Sequence, residues 1–187
     1  MIKRLCCLRN GVGRSQEAIC AIVDGSVSAE VISTTSRGML AEALTLAKIH
    51  PNITVKLPIT ATAMPVVTKL HQAGIMTNVT LVFSVNQALL AAKAGATFVS
   101  PFVGRLDDTH EDGIQLVSEI VQLYRTHGFT TQVLAASMRH PQHVAQAALV
   151  GADVATVPYS VFTQLFEHPL TDSGLKKFLA DWKTVKK

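Results

Sequence analysis

The sequence has few cysteines, few aromatic residues and no long apolar run. Its three cysteines, Cys6, Cys7 and Cys20, form no Cys-x-x-Cys pair. An odd number of cysteines without a secretion signal indicates reduced thiols rather than a disulfide framework. The apolar runs end well short of the roughly 20 residues that cross a bilayer, so we expect no membrane-spanning segment. Because Arg9, Asn10 and Gly11 interrupt the N-terminal apolar residues, no signal peptide is predicted and a cytoplasmic location is expected.

Charge of one sign is not concentrated anywhere except in a lysine-rich C-terminus. The 17 basic and 13 acidic residues give a formal charge of +4, and aromatic residues make up only 5% of the chain. A nucleic-acid-binding surface would need a basic patch and aromatic side chains on which bases stack, so nucleic-acid binding is not expected. A few cationic side chains gathered in one pocket would instead suit a small phosphorylated substrate.

Short β-rich runs alternate with longer amphipathic runs along the chain. Six runs are predicted as strands: Ser28–Ile32, Ile53–Ile59, Met76–Phe83, Thr97–Phe102, Thr131–Ala136 and Val154–Pro158. Apolar residues at three- and four-residue spacing predict helices at Arg14–Val23, Arg37–Ile49, Met64–Ala73, Asn86–Ala94, Gly113–His127 and Gln142–Val150, and a C-terminal helix over residues 171–187. Four of these helices are followed by a glycine, where a left-handed residue is wanted: Gly74, Gly95, Gly128 and Gly151. The pattern predicts a βα repeat in one domain over residues 1–187, with an atypical segment at 1–13.

Strands that are apolar along their whole length belong to a parallel sheet covered by helices, either doubly wound or closed as a (β/α)8 barrel. A doubly wound sheet should carry a Gly-x-Gly-x-x-Gly turn after a strand, whereas Gly11-Val12-Gly13 follows no convincing strand. We therefore favour an α/β fold of the (β/α)8 TIM-barrel family. Only about six of its eight βα units are recognisable, because residues 1–13 are too few and too polar to supply the others.

A lysine interrupts one of the apolar strands. Strand alternation places Lys56 on the same face as Thr54 and Pro58, opposite Val55 and Leu57. A lysine at a strand end can reach water with its amine, and that is the ordinary structural explanation. In a barrel interior, desolvation would favour the neutral amine, which is the nucleophile that attacks a ketone.

Polar side chains recur near the carboxyl ends of the other strands, where barrel enzymes assemble their active sites. These residues are Glu30, Asn78, Thr80, Ser100 and Ser137, and two arginines, Arg105 and Arg139, each follow a strand. Ser137 and Arg139 could present a hydroxyl and a guanidinium to one phosphate, although a solvated loop arginine is the commoner case. His140 and His143 lack a third ligand at suitable spacing, so they are predicted as surface histidines and no metal is expected.

Four motifs in order resemble those of the small transaldolases, which use a Schiff-base lysine. They are Val55-Lys56-Leu57-Pro58-Ile59-Thr60, Thr77-Asn78-Val79-Thr80-Leu81-Val82-Phe83-Ser84, Ser100-Pro101-Phe102-Val103-Gly104-Arg105 and Ala135-Ala136-Ser137-Met138-Arg139. The resemblance runs from about Gly25 to the C-terminus and includes Thr171-Asp172 and Asp181-Trp182-Lys183. It implies a (β/α)8 barrel that works without a cofactor and forms a homo-oligomer.

The resemblance also implies roles for individual residues. Lys56 resembles the lysine that forms the Schiff base, and Glu30 and Thr80 resemble the pair that positions a catalytic water. The residues that resemble the substrate-binding set are Asn78, Ser100, Phe102, Arg105, Ser137 and Arg139, of which Arg105, Ser137 and Arg139 bind phosphate. The implied reaction moves a dihydroxyacetone unit between sugar phosphates of the pentose phosphate pathway.

Two alternatives accompany this interpretation. The related fructose-6-phosphate aldolases carry Gln where Glu30 stands and Tyr where Phe102 stands, so both positions here take the transaldolase form. The family's Leu-Asp-Thr and Thr-Thr-Asn-Pro motifs do not occur in the sequence, and the Asp of the first is the family's base for carbon–carbon cleavage. A truncated, non-catalytic barrel remnant is therefore the second alternative, and little activity is expected of this chain.

Overall fold

Strands and helices alternate through the computed structural model, which describes residues 6–8 and 14–185. The strands are β1 (Cys6–Leu8), β2 (Val27–Glu30), β3 (Ile53–Pro58), β4 (Thr77–Val82), β5 (Phe98–Pro101), β6 (Gln132–Ala135) and β7 (Val154–Ala155). The helices are α1 (Arg14–Cys20), α2 (Ser36–Ala47), α3 (Met64–Gln72), α4 (Val85–Lys93), α5 (Val103–Asp107), α6 (Gly113–His127), α7 (Pro141–Leu149), α8 (Tyr159–Gln164) and α9 (Pro169–Thr184).

All the strands are parallel and form one sheet in the order β1-β2-β3-β4-β5-β6-β7. Each strand therefore pairs with its neighbours in the sequence, and the intervening helices return the chain along one face, as right-handed crossovers require. A parallel sheet in sequence order with helices on one side is part of a (β/α)8 barrel, which confirms the predicted fold class. The six predicted strands correspond to β2 through β7.

The N-terminal segment departs from the sequence prediction. Cys6–Leu8 forms a strand that pairs in parallel with β2, and α1 follows it. Residues 1–13 were expected to supply neither of the two missing βα units, and they supply one strand, because three residues suffice when the neighbouring strand offers a free edge. The described residues thus hold seven strands rather than six, still fewer than the eight of a complete barrel. At the other edge β7 ends at Ala155 rather than at the predicted Pro158, whose ring nitrogen cannot donate to a sheet.

The two faces of the sheet differ in character. The outward face packs beneath the helices through fully buried aliphatic side chains, among them Val55, Leu57, Val79 and Val99. The inward face carries polar residues in its middle strands and a small apolar cluster that includes Phe98, Leu134 and Val154. Alternation along each strand thus separates a hydrophobic core from a surface that can carry chemistry.

Side-chain caps and glycines set the helix limits. Ser84 accepts from the backbone N–H of Gln87 at the start of α4, and Asp112 accepts from Gln115 at the start of α6. The four predicted helix-ending glycines all have positive φ, between 65° and 91°, as expected.

The helices also pack against one another through a buried hydroxyl. Tyr124 on α6 donates to the carbonyl oxygen of Ala88 on α4 at 2.7 Å, and burial raises the pKa of its phenol. No helix within the described residues combines the length and the apolar character that a bilayer-spanning segment needs. That the chain forms one domain stays a prediction.

Candidate active site

A lysine and a carboxylate meet on the inward face of the sheet. Glu30 at the end of β2 lies directly beside Lys56 on β3, and the Lys56 Nζ is 3.1 Å from the Glu30 Oε2. Their side chains are 14% and 28% exposed, so the pair is shielded from solvent but can still be reached from it. Val55 and Leu57, on either side of the lysine, are fully buried in the outward core, which fixes the lysine on the inward face. The Lys56 amine therefore has a group that can accept a proton, the Glu30 carboxylate, in hydrogen-bond contact.

A chain of buried hydrogen bonds runs across the strands beside this pair. Asn78 on β4 is the register neighbour of Lys56, and its amide accepts from the Ser100 hydroxyl at 2.7 Å. The same amide donates to Ser28 on β2 at 3.2 Å. All three side chains are buried, and both ends of the Asn78 amide are therefore occupied by protein. The arrangement ties β2, β4 and β5 together around the strand that carries Lys56.

Thr80 lies on the same face as Asn78, opposite Pro58 in the register. Its hydroxyl is buried and makes no hydrogen bond within the described residues, and the same is true of Thr54, which precedes Lys56 on the inward face of β3. Buried hydroxyls are normally hydrogen-bonded, so these two have donor and acceptor capacity that the described residues do not use. After Thr80 the strand contains an irregularity, with Leu81 at φ 61°. Such a bulge re-aims the side chains at a strand end.

The loop after β5 brings an aromatic ring and a guanidinium together. Phe102 precedes α5, and the Arg105 guanidinium stacks over its ring with 5.1 Å to the ring centroid. Phe83 from the end of β4 packs against the same ring edge to face, with centroids 5.8 Å apart. Arg105 is exposed at the carboxyl end of the sheet, with its side chain held over a fixed ring.

The loop after β6 packs closely on α5. The Gly104 N–H donates to the Ser137 carbonyl oxygen at 3.1 Å, and Ser137 has the left-handed φ of 62°. A Cβ at position 104 would collide with that carbonyl oxygen and with the Arg139 side chain, so only glycine fits there. The close approach places Ser137 and Arg139 beside the helix that carries Arg105.

Arg139 makes a bidentate ion pair with Asp108, the residue after α5. The two N–O distances are 2.9 and 2.5 Å, and both side chains are about half exposed. An arginine fork that binds one carboxylate in this way has the geometry that also binds phosphate. An incoming phosphate would have to displace Asp108.

His143 is buried, at 5% exposure, so its prediction as a surface histidine is wrong, whereas His140 is exposed. The His143 Nε2 donates to Asp107 at 2.8 Å, and its Nδ1 accepts from the backbone N–H of Arg139 at 3.3 Å. Burial lowers the pKa of His143, and repulsion from His140 and Arg139 adds to the effect while Asp107 opposes it. The sequence carried no signal for these contacts, because Asp107 and His143 are far apart in the chain. Within residues 6–8 and 14–185, no three His, Cys, Asp or Glu side chains are arranged to hold a metal ion.

The structure thus gathers the predicted residues into two groups. Lys56, Glu30, Asn78 and Ser100 are linked by register or hydrogen bonds, with Thr80 on the same face. Phe102, Arg105, Ser137 and Arg139 form the rim built from α5 and the loop after β6. The chemical roles predicted for these residues stay predictions.

Similarity to known proteins agrees with this arrangement. The family model described as "Transaldolase/Fructose-6-phosphate aldolase" matches residues 12–187. The chain belongs to this family. A "Probable transaldolase" of Moorella thermoacetica is 60% identical over 170 residues, which are 91% of this chain and 79% of the relative. A protein of the same description from Geobacillus kaustophilus is 60% identical over 168 residues, which are 90% of this chain and 79% of that relative. One from Methanococcus maripaludis is 58% identical over 164 residues, which are 88% of this chain and 76% of that relative.

Among solved structures, a mandelate oxidase mutant with the monooxide FMN adduct superposes with a TM-score of 0.59 at 16% identity. The match covers 82% of this chain, which spans about half of the oxidase, 54%. At that identity the likeness shows the barrel-type fold and carries no information on activity. The transaldolase family is therefore shown by sequence and is consistent with the fold.

Proposed function

We propose that the chain is a transaldolase that moves a dihydroxyacetone unit between sugar phosphates through a Schiff base on Lys56. The observation that carries the proposal is the contact of Lys56 with Glu30 at 3.1 Å on the inward face of the sheet. A lysine becomes a nucleophile when a neighbouring group takes its proton within a partly desolvated site. Glu30 is in hydrogen-bond contact with the amine, so it can accept that proton and return it to the leaving water.

The reaction follows in three steps. The neutral Lys56 amine attacks the C2 carbonyl of fructose 6-phosphate or sedoheptulose 7-phosphate, and loss of the oxygen as water gives a protonated imine. Cleavage of the C3–C4 bond leaves its electron pair on C3, so an enamine remains on Lys56 while the C4 hydroxyl loses its proton and becomes the aldehyde. The enamine attacks the aldehyde of glyceraldehyde 3-phosphate or erythrose 4-phosphate, and hydrolysis of the new imine frees the lysine. Thr80 can hold the water of the first and last steps, since its buried hydroxyl is otherwise unmatched.

The rim supplies the phosphate-binding groups of the proposal. Arg105 and Arg139 offer guanidinium donors, and Ser137 lies between them on the loop that packs against Gly104. Each charge-assisted hydrogen bond of this kind contributes about 1.5–3 kcal/mol. The reaction needs no cofactor, and it belongs to the cytoplasmic sugar-phosphate interconversions of the pentose phosphate pathway.

The test is borohydride trapping with fructose 6-phosphate, followed by peptide mass mapping. The reduced adduct is expected on Lys56 and absent from a Lys56→Arg variant, whereas Lys48→Arg, which alters an exposed lysine, should label as the parent does. A label on a lysine other than Lys56 would contradict the assignment. A coupled assay with erythrose 4-phosphate then separates transfer from release of free dihydroxyacetone, which is the aldolase outcome.

The two alternatives make different predictions in the same assays. An aldolase would release free dihydroxyacetone, although Glu30 and Phe102 both take the transaldolase form. A non-catalytic remnant would bind phosphate without labelling Lys56. Since the family's Leu-Asp-Thr motif does not occur in the sequence, we expect imine formation to exceed carbon–carbon cleavage, for which a general base usually contributes about 10²–10⁴-fold.

We also propose that the chain is a homo-oligomer in which α9 packs on another subunit. The helix presents Leu175, Phe178, Leu179 and Trp182 on one stripe, and each is at least half exposed. A stripe of this kind is unfavourable in water and marks an interaction surface. In sedimentation velocity, the parent and Lys176→Glu are expected to be oligomeric and a Leu175→Glu/Phe178→Glu variant to dissociate; a monomeric parent would contradict the proposal.

A further inference from the structure

One buried imidazole joins α5 to the loop after β6, the two segments that carry the proposed phosphate-binding residues. His143 lies in the first turn of α7, and its Nε2 donates to the Asp107 carboxylate at 2.8 Å. Its Nδ1 accepts from the backbone N–H of Arg139 at 3.3 Å. The other oxygen of Asp107 accepts from the backbone N–H of Gly113 at 3.1 Å, which fixes the carboxylate against the start of α6. The imidazole therefore bonds to a fixed partner on each side.

These bonds connect the end of α5 to the loop after β6. Asp107 ends α5, the helix that carries Arg105, and the Arg139 N–H belongs to the loop after β6. At the other end the same two segments are joined by the bond from Gly104 to Ser137. The Val103 N–H also donates to the Ala136 carbonyl oxygen at 2.9 Å, and the exposed pair of Arg139 with Asp108 joins the same segments near their far end. The imidazole is the buried attachment at that far end, where the other contact is a half-exposed side-chain pair.

We propose that His143 is a positioning residue for phosphate recognition, which holds Arg105, Ser137 and Arg139 at the spacing that a single phosphate group requires. The inference rests on the proposed function, since it takes those three residues as the phosphate ligands. His143 itself, at 5% exposure, does not reach the ligand and acts through Asp107 and the Arg139 backbone.

A neutral histidine suits this task because it is a donor at one ring nitrogen and an acceptor at the other. The protonated ring would lose the acceptor that the Arg139 N–H needs. Among the other side chains, an asparagine amide can place an oxygen near the Nδ1 position, and a glutamine amide can place an N–H near the Nε2 position. Each of these therefore keeps one of the two bonds.

The experiment measures phosphate binding and imine formation separately. Inorganic phosphate is titrated by calorimetry into the full chain and into His143→Asn, His143→Gln and His143→Leu. The same proteins are trapped by borohydride with dihydroxyacetone, which reports on Lys56 without a phosphate group. His127→Gln, which alters an exposed histidine of α6, is the matched control.

Errors of about 1 Å can cost roughly a hundredfold in a preorganised site, and the backbone bonds of Val103 and Gly104 remain in the variant, so we expect His143→Leu to weaken phosphate binding about 10-fold. His143→Asn and His143→Gln should fall between the parent and His143→Leu, and all three should label Lys56 as the parent does. Unchanged phosphate affinity in the three variants would overturn the inference. An equal loss of phosphate binding and of labelling would also overturn it, because it would show a general structural role.

The outcome also separates this inference from the proposed function. If the parent binds phosphate and the variants bind it more weakly, the positioning role holds even where Lys56 is not labelled. If the parent labels at Lys56 but binds no phosphate, the Schiff-base proposal holds and both the positioning role and the phosphate role of the arginines are rejected.

Discussion

Replacing Asn78 by Ala should destabilise the fold strongly, because its amide connects two buried serines. Two hydrogen bonds, to Ser28 and Ser100, are lost, and each contributes about 0.5–1.5 kcal/mol net. A serine hydroxyl that cannot turn to another partner would add a desolvation penalty of about 1–3 kcal/mol. We therefore expect a decrease of about 2–4 kcal/mol in the free energy of unfolding, out of a typical total of about 5–15 kcal/mol.

The measurement is urea denaturation followed by far-ultraviolet circular dichroism. Asn86→Ala is the matched control, because Asn86 is exposed on α4 and its replacement should stay within about 0.5 kcal/mol. In a Ser28→Ala/Ser100→Ala background, Asn78→Ala should cost at least about 1 kcal/mol less, since its hydrogen-bond partners are already gone. A loss below about 0.5 kcal/mol for Asn78→Ala alone, or equal losses in both backgrounds, would refute the reasoning.

Three further predictions follow from single contacts. Asp108→Asn should tighten the binding of inorganic phosphate about 2–5-fold in calorimetry, because an exposed ion pair of about 0.2–1 kcal/mol no longer competes for Arg139; unchanged binding would place Arg139 outside the site. Tyr124→Phe removes one buried hydrogen bond to the Ala88 carbonyl, which lies within α4 and can keep its helical partner, and should lower the urea-derived stability by about 0.5–1.5 kcal/mol, whereas an unchanged stability would show that the phenol contributes nothing net. The pKa of His143 is lowered from its ordinary value of 6.5 in the folded chain. At a pH between the lowered pKa and 6.5, the unfolded chain therefore binds more protons than the folded chain does. Its contribution to stability is therefore complete above about pH 6.5 and is lost as the pH falls through the lowered pKa, and His143→Gln should remove this pH dependence in urea titrations from pH 7.5 to 5.

The sequence predicted the fold well because its signals were local. Alternation placed Lys56 and Thr54 on one face of β3, and glycines with positive φ ended the helices where expected. The bulge at Leu81 was not predictable, because leucine rarely adopts a left-handed φ and only the surrounding sheet holds it there.

The site was predicted in its residues but not in its contacts. Lys56 and Glu30 come from neighbouring strands, so their proximity follows once the sheet order is known. The pair of Arg139 with Asp108 and the contact of His143 with Asp107 depend on how the loop after β6 and the start of α7 lie against the end of α5, which no local pattern encodes. The segments that carry Arg105 and Arg139 are therefore held by contacts that a solvated loop would lack.

The order of the strands also bears on how the chain acquires and loses its structure. Each strand pairs with its neighbours in sequence, yet every pairing is parallel, so a helix must return the chain before the two strands can meet. The longest strands, β3 and β4, lie in the interior of the order, while β7 has two residues and, within the part of the chain that the structure describes, pairs only with β6. Backbone amide exchange should accordingly be slowest in β3 and β4 and rise toward both edges, so that opening begins at the margins of the sheet and reaches Lys56 last.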